Sequence, residues 1–147
     1  MADGRLPEPT DLLPHRPPFL FVDEILDLEA GAWARARWHV AADAWFFPGH
    51  FPGNPIPPGV VMVEALAQTG AIAAMAEEGN EGMLALFAAI GRARFRRIVR
   101  PGEDLVLETR LIHRRGRLGA AEGTATVDGV LACRAELSFA VVDGEDT

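Results

Sequence analysis

His50, Gly59, Glu64 and Gln68 are the residues of this chain whose types and spacing can do chemistry together. His50 stands between Gly49 and Phe51-Pro52, and an unperturbed imidazole, titrating at about 6.5, accepts a proton near neutral pH. Phe46, Phe47 and Phe51 surround it with apolar sequence, which favours the uncharged ring that a base needs. Glu64 interrupts the longest apolar run, Val60–Ala76. A carboxylate there meets a desolvation cost that raises its pKa and fits it to act as an acid. Gln68 follows four positions later and faces the same way on a helix, so the two polar groups suggest a lined cavity. Gly59 falls where that helix begins. The first N–H groups of a helix lack internal partners, and glycine admits a ligand close to the backbone, so a carbonyl oxygen that gains negative charge is stabilised there. A base, an acid and a backbone anion site suit proton abstraction α to a carbonyl with loss of a β-leaving group. Plainer readings exist for each part: a loop histidine without a role, Glu64 bonded to a strand arginine, a helix–sheet hydrogen bond from Gln68, and an ordinary Pro-Pro-Gly turn.

Other chemistries find little support. His15, His39, His50 and His113 show no metal-ligand spacing, and the single Cys133 excludes both an internal disulfide and multi-cysteine zinc patterns. Ser138 lacks a nucleophile elbow, and Cys133 has no thiolate-stabilising neighbour. The N-terminus has no apolar signal core, and Glu64, Gln68 and Thr69 break the apolar run short of the ~20 residues a membrane span needs. A soluble cytoplasmic protein is therefore expected. The net charge is −7, yet Arg92, Arg94, Arg96, Arg97 and Arg100 cluster, as do Arg114, Arg115 and Arg117. An acidic protein with a local basic ridge suits an acidic partner better than bulk nucleic acid, although two solvated strand ends would look the same.

The elements that must position these groups follow from periodicity. With 147 residues, the chain reads as a single domain over 1–147, with residues 1–9 and 143–147 as flexible ends and a short helical turn within 5–14. Phe19–Leu28 and Trp33–Val40 read as strands. In the second, Trp33, Arg35, Arg37 and His39 share one face, and Ala34, Ala36, Trp38 and Val40 the other. Residues 41–58 form a loop stiffened by five prolines. The helix runs from Pro58 or Gly59 to Glu78 and is apolar nearly all round, so it belongs inside the protein. Strands follow at Met83–Phe95, Asp104–Arg115, Leu118–Val127 and Gly129–Val142, with hairpin turns at Asp128-Gly129 and Arg115-Gly116-Arg117. The economical packing is α+β: a curved antiparallel sheet wrapped around one long buried helix. One sheet covers only one side of that helix, so a dimer with the helices near the shared interface is expected.

Several stretches together carry a family resemblance. They are Leu13-Pro14-His15-Arg16-Pro17-Pro18-Phe19-Leu20, Phe46-Phe47-Pro48-Gly49-His50-Phe51-Pro52, Pro58-Gly59-Val60 leading to Glu64-Ala65-Leu66-Ala67-Gln68, Arg94-Phe95-Arg96-Arg97 and Pro101-Gly102-Glu103-Asp104. Over residues 10–142 the chain resembles the β-hydroxyacyl-acyl-carrier-protein dehydratases of type II fatty-acid synthesis, which have the hot-dog fold. The resemblance implies that His50 removes the C2 proton, that Glu64 protonates the departing C3 hydroxyl, that the Gly59 N–H holds the thioester carbonyl, and that Gln68 supports the acid. It implies no cofactor and no metal. It also implies a homodimer, and possibly a trimer of dimers, in which His50 and Glu64 of different subunits share a site. The partner would be an acyl-carrier protein bearing a phosphopantetheine-linked acyl chain, or acyl-coenzyme A, docked by Arg92, Arg94, Arg96, Arg97 and Arg100. Pro17, Asp43-Ala44-Trp45, Pro57 and Ile98 depart from the family pattern without removing a catalytic group. A hot-dog thioesterase, a dehydratase of polyketide or specialised lipid synthesis, and a non-catalytic acyl-binding subunit are the alternatives.

Overall fold

The computed structural model describes residues 4–144; the outermost residues of both expected flexible ends, 1–3 and 145–147, lie outside it. A short helix α1 (Pro9–Leu12) precedes strands β1 (Glu24–Glu29) and β2 (Trp33–His39). The long helix α2 (Gly59–Met75) comes next, followed by β3 (Met83–Phe95), β4 (Asp104–Arg115), β5 (Leu118–Val127) and β6 (Val130–Asp143). The six strands form one antiparallel sheet in the order β1-β2-β4-β5-β6-β3. Because β2 lies near one edge and β3 at the other, the segment joining them must cross the sheet. Helix α2 makes that crossing and packs against β2 through β6. The curved antiparallel sheet with its single long helix is the hot-dog fold that the sequence leads one to expect.

The period-two alternation of β2 is realised in its packing. Ala34, Ala36 and Trp38 are buried, whereas Trp33, Arg35 and Arg37 are partly exposed and His39 is exposed. Asp128 and Gly129 both take positive φ (49° and 79°) between the paired Val127 and Val130, which is the two-residue turn that matches strand twist. The helix approaches the sheet closely where glycines permit it. A Cβ on Gly70 would stand 2.9 Å from Thr109 Cγ2, and one on Gly123 would stand 2.8 Å from Thr109 Oγ1. The Thr109 hydroxyl uses that proximity to donate to the Leu66 carbonyl (2.8 Å).

Two elements differ from expectation. The first strand begins at Glu24 rather than Phe19. The Phe21 N–H and the Phe19 carbonyl are committed to the Gln68 side chain, so that stretch cannot also pair in the sheet. The helix ends at Met75 rather than Glu78. Its last carbonyls find donors outside the helical ladder: Gly31 N–H reaches Ala73 O (2.8 Å) and Asn80 Nδ2 reaches Ala74 O (2.7 Å).

Of the helix residues, Val60 is 75% exposed, and Glu64 and Ala67 are half-buried. These positions, spaced i, i+4 and i+7, are with half-buried Gly59 the residues of α2 that are not fully buried.

Candidate active site

Glu64 opens into a cavity of about 280 Å³ between α2 and the sheet. Its walls are mainly apolar: Ala67, Gly70 and Ala71 from the helix, with Ala85, Phe87, Leu137 and Phe139 from the strands. The Glu64 side chain is 16% exposed, and burial raises its pKa, only partly countered by the hydrogen bond from Gln68. Gln68 itself is fully buried and uses both of its amide donors and its carbonyl oxygen. Its Nε2 donates to Glu64 Oε2 (2.9 Å) and to the Phe19 carbonyl (3.1 Å), and its Oε1 accepts from the Phe21 N–H (2.8 Å). The glutamine thus pins the acid to the N-terminal segment.

His50 lies elsewhere. It caps the 3-10 turn Phe47–Gly49 and is held by a closed set of backbone bonds: His50 N–H to Phe47 O (3.1 Å), Ile56 N–H to His50 O (2.9 Å), and a reciprocal Phe51–Asn54 pair (3.0 and 2.9 Å). Its Nδ1 is 2.7 Å from the Ile56 carbonyl. A carbonyl only accepts, so Nδ1 carries the proton and the ring lone pair sits on Nε2. Of the three phenylalanines near it in sequence, only Phe51 stacks on the ring (centroids 4.1 Å apart). Phe46 and Phe47 pack edge to face with each other in the core.

The groove beside His50 is lined by Ile56, Gly59, Val60, Met62, Phe95 and Arg97, and it shares no residue with the cavity at Glu64. Gly59 is the first residue of α2, after Pro58, and no side chain caps this helix end. The first intrahelical bonds run from Val61 and Met62 to the Pro58 carbonyl (3.0 and 3.4 Å), so the Gly59 and Val60 N–H groups precede the ladder. Phe95 crowds Gly59: a Cβ there would lie 2.7 Å from its ring.

The arginines that are clustered in sequence divide into two groups in space. Arg92, Arg94 and Arg96 line a polar groove with Arg134, Glu122 and Glu136. Arg97 is instead clamped by Glu103 through two hydrogen bonds (3.0 and 2.8 Å), and Arg100 Nη1 donates to Asn54 Oδ1 (3.0 Å) at the His50 loop. Arg100 therefore braces the His50 loop, and Arg97 lines the groove beside His50. The Cys133 thiol is buried, which pushes its pKa up to about 11. Among the described residues no cluster of histidine, cysteine or carboxylate side chains is arranged to hold a metal ion, and no helix is long and apolar enough to cross a membrane.

Sequence reasoning did not assign His15 to the site, yet its Nε2 lies 3.6 Å from Glu64 Oε2 and it lines the same cavity. Phe19, which lines that cavity too, was also not assigned. The available signal was a histidine in a proline-bracketed motif, but no spacing rule connects position 15 to position 64.

The family model for the FabA-like domain matches residues 13–136. A protein of Chloroflexus aggregans named 3-hydroxyacyl-[acyl-carrier-protein] dehydratase FabZ is 54% identical over 132 residues, covering 90% of this chain and 92% of its own. A Bacillus subtilis protein of the same name is 49% identical over 131 residues, covering 89% and 93%. Among solved structures, a chain of the dehydratase heterocomplex ApeI:P of Xenorhabdus doucetiae superposes with a TM-score of 0.79 at 17% identity, covering 96% of this chain and 95% of its own. A mutant thioesterase of Pseudomonas aeruginosa superposes with a TM-score of 0.64 at 18% identity, covering 82% and 81%. At such identities the two structures speak to the fold alone.

Proposed function

The chain belongs to the FabA-like family, and we propose that it is a 3-hydroxyacyl-[acyl-carrier-protein] dehydratase of fatty-acid synthesis whose acid is Glu64 and whose base is His50. The observation that carries this reading is the state of Glu64: a carboxyl in an apolar cavity, with its pKa raised by burial and one oxygen held by Gln68. An acid that retains its proton to higher pH in this way is suited to deliver it to a departing hydroxyl. His50 Nε2 takes the proton from C2 of the (3R)-hydroxyacyl thioester. The negative charge that develops on the thioester oxygen is met by the Gly59 N–H at the start of α2. The C3–O bond breaks as Glu64 protonates the hydroxyl, so water leaves and the trans-2-enoyl thioester remains. The thioester itself acidifies C2, and no cofactor enters the reaction.

Two copies assemble the site in this reading. His50 and Glu64 open on separate cavities of one chain, so each cavity serves as half of a site. The long edge strand β3 exposes Leu86, Phe87, Ile90 and Phe95, an apolar edge of the kind that pairs with another strand. A homodimer, alone or within a trimer of dimers, would cover that edge together with Val60. The cytoplasm is the matching location. The partner is an acyl-carrier protein or acyl-coenzyme A, and the basic groove of Arg92, Arg94 and Arg96 offers the carrier protein a docking surface, with Arg97 and Arg100 nearer the His50 loop.

The test is complementation. His50→Ala and Glu64→Ala homodimers should each be inactive on crotonyl-coenzyme A. Co-refolding them at equal concentration gives half mixed dimers, each with one intact site of two, and should restore about a quarter of wild-type activity. Mixed dimers without activity would overturn the shared site. Near-normal turnover by either folded single mutant would overturn the assignment of its residue.

A further inference from the structure

The proposed dehydration requires the Glu64 proton to sit on the oxygen that faces the substrate. Both neighbours of the carboxyl approach the same atom: Gln68 Nε2 at 2.9 Å and His15 Nε2 at 3.6 Å converge on Oε2. Among the described residues no hydrogen bond is made to Oε1. In a neutral carboxylic acid the carbonyl oxygen accepts and the hydroxyl oxygen donates, so an Oε2 that is offered donors leaves the proton on Oε1. The Gln68 amide is fixed as a donor here, because its own Oε1 is taken by the Phe21 N–H.

His15 has the same polarity. Desolvation, and then the charge of Arg16, lower its pKa, so the ring is neutral and carries one N–H. The Nδ1 atom is buried without a hydrogen-bond partner. A proton there would be an orphaned buried donor, whereas a proton on Nε2 points at Oε2. The 3.6 Å separation is longer than a hydrogen bond, and such contacts commonly tighten only when substrate fills the site. Around Glu64 the titratable and charged neighbours are His15 and, beside it, Arg16. Among the described residues the sheet side of the cavity presents Thr109 and apolar groups, and the mechanism brings the second copy's imidazole. We propose that His15 is a positioning residue that, together with Gln68, holds Glu64 Oε2 as an acceptor and so keeps the acidic proton on Oε1, the oxygen to which neither of them donates.

This inference rests on the dehydratase reading, and the experiment separates the two. Steady-state turnover of crotonyl-coenzyme A is measured for wild type, Glu64→Ala, His15→Ala and His15→Gln, with thermal melts to verify folding. The expectation is a fall of about tenfold in kcat for His15→Ala with KM changed less than about threefold, because the lost contact acts on the reacting proton rather than on binding. His15→Gln, which keeps an N–H donor but cannot titrate, should recover most of kcat. A His15→Ala variant with wild-type kcat, or a His15→Gln variant as slow as His15→Ala, overturns the proposal. An active Glu64→Ala sinks the dehydratase reading instead; a dead Glu64→Ala beside a fully active His15→Ala sinks only the role of His15. Nitrogen-15 NMR of the wild-type chain gives an answer independent of any variant: the His15 ring should be the Nε2–H tautomer, and an Nδ1–H tautomer refutes the argument.

Discussion

Gln68→Ala is the most informative single substitution at this site. Gln68 is fully buried and, among the described residues, is the hydrogen-bonded link between Glu64 and the segment Phe19–Phe21. Truncation orphans two buried backbone groups, the Phe21 N–H and the Phe19 carbonyl. Each unsatisfied buried group costs ~1–3 kcal/mol, so the pair should cost roughly 2–6 kcal/mol. Against a typical domain stability of ~5–15 kcal/mol that is a large fraction, and for a chain of this size it corresponds to roughly 5–20 °C in Tm. Gln68→Glu should fall between: its Oε1 still accepts from Phe21, but a second carboxyl then faces Glu64 in place of an amide donor. Activity should fall in both variants, since Oε2 of the acid loses its donor. Urea denaturation at fixed protein concentration, with kcat measured on the same samples, is the assay. A Gln68→Ala chain within about 1 kcal/mol of wild type would refute the claim that these bonds hold the N-terminal segment in place. Unchanged kcat in that variant would refute the claim that they orient the acid.

The remaining predictions concern charge. Burial raises the Glu64 pKa above the 4.5 of an unperturbed group, so the folded chain retains this proton to higher pH than the unfolded chain does. The stability contributed by that difference is full below 4.5 and is lost as pH rises through the folded value. Glu64→Gln should therefore gain stability relative to wild type as pH rises from 4.5 through the folded value in a series of urea titrations, and a gap that closes over that range would contradict it. Separately, charge reversal at both Arg94 and Arg134 should raise KM for acyl-carrier protein more than about tenfold at low salt, leave acyl-coenzyme A unaffected, and lose its effect at high salt. Equal KM values for the carrier protein would show that it docks elsewhere.

What was legible in the sequence, and what was not, divides along a physical line. Period-two alternation and the Asp128-Gly129 turn are local signals, and β2, β3, β4 and β5 sit within one residue of where those signals put them. The anomaly of a carboxylate in an apolar helix is also local, and it led directly to the cavity at Glu64. The misplaced start of β1 and the overlooked His15 are different in kind, and they share one cause. Gln68 reaches across 47 and 49 positions of sequence to take the Phe21 N–H and the Phe19 carbonyl. Those two bonds withdraw 19–21 from the sheet, so β1 starts late despite its apolar strand-like residues. They also hold the preceding segment Pro14-His15-Arg16 against the helix, with His15 3.6 Å from the acid. Periodicity describes which face of an element is buried, but it does not say which buried polar side chain will claim a distant backbone. Reading Gln68 as a residue that must satisfy all its valences inside the core would have corrected both errors at once. A fully buried glutamine one turn beyond Glu64 has more donors and acceptors than that single neighbour can occupy, and the backbone groups that take the rest, at Phe19 and Phe21, belong to the segment that bears His15.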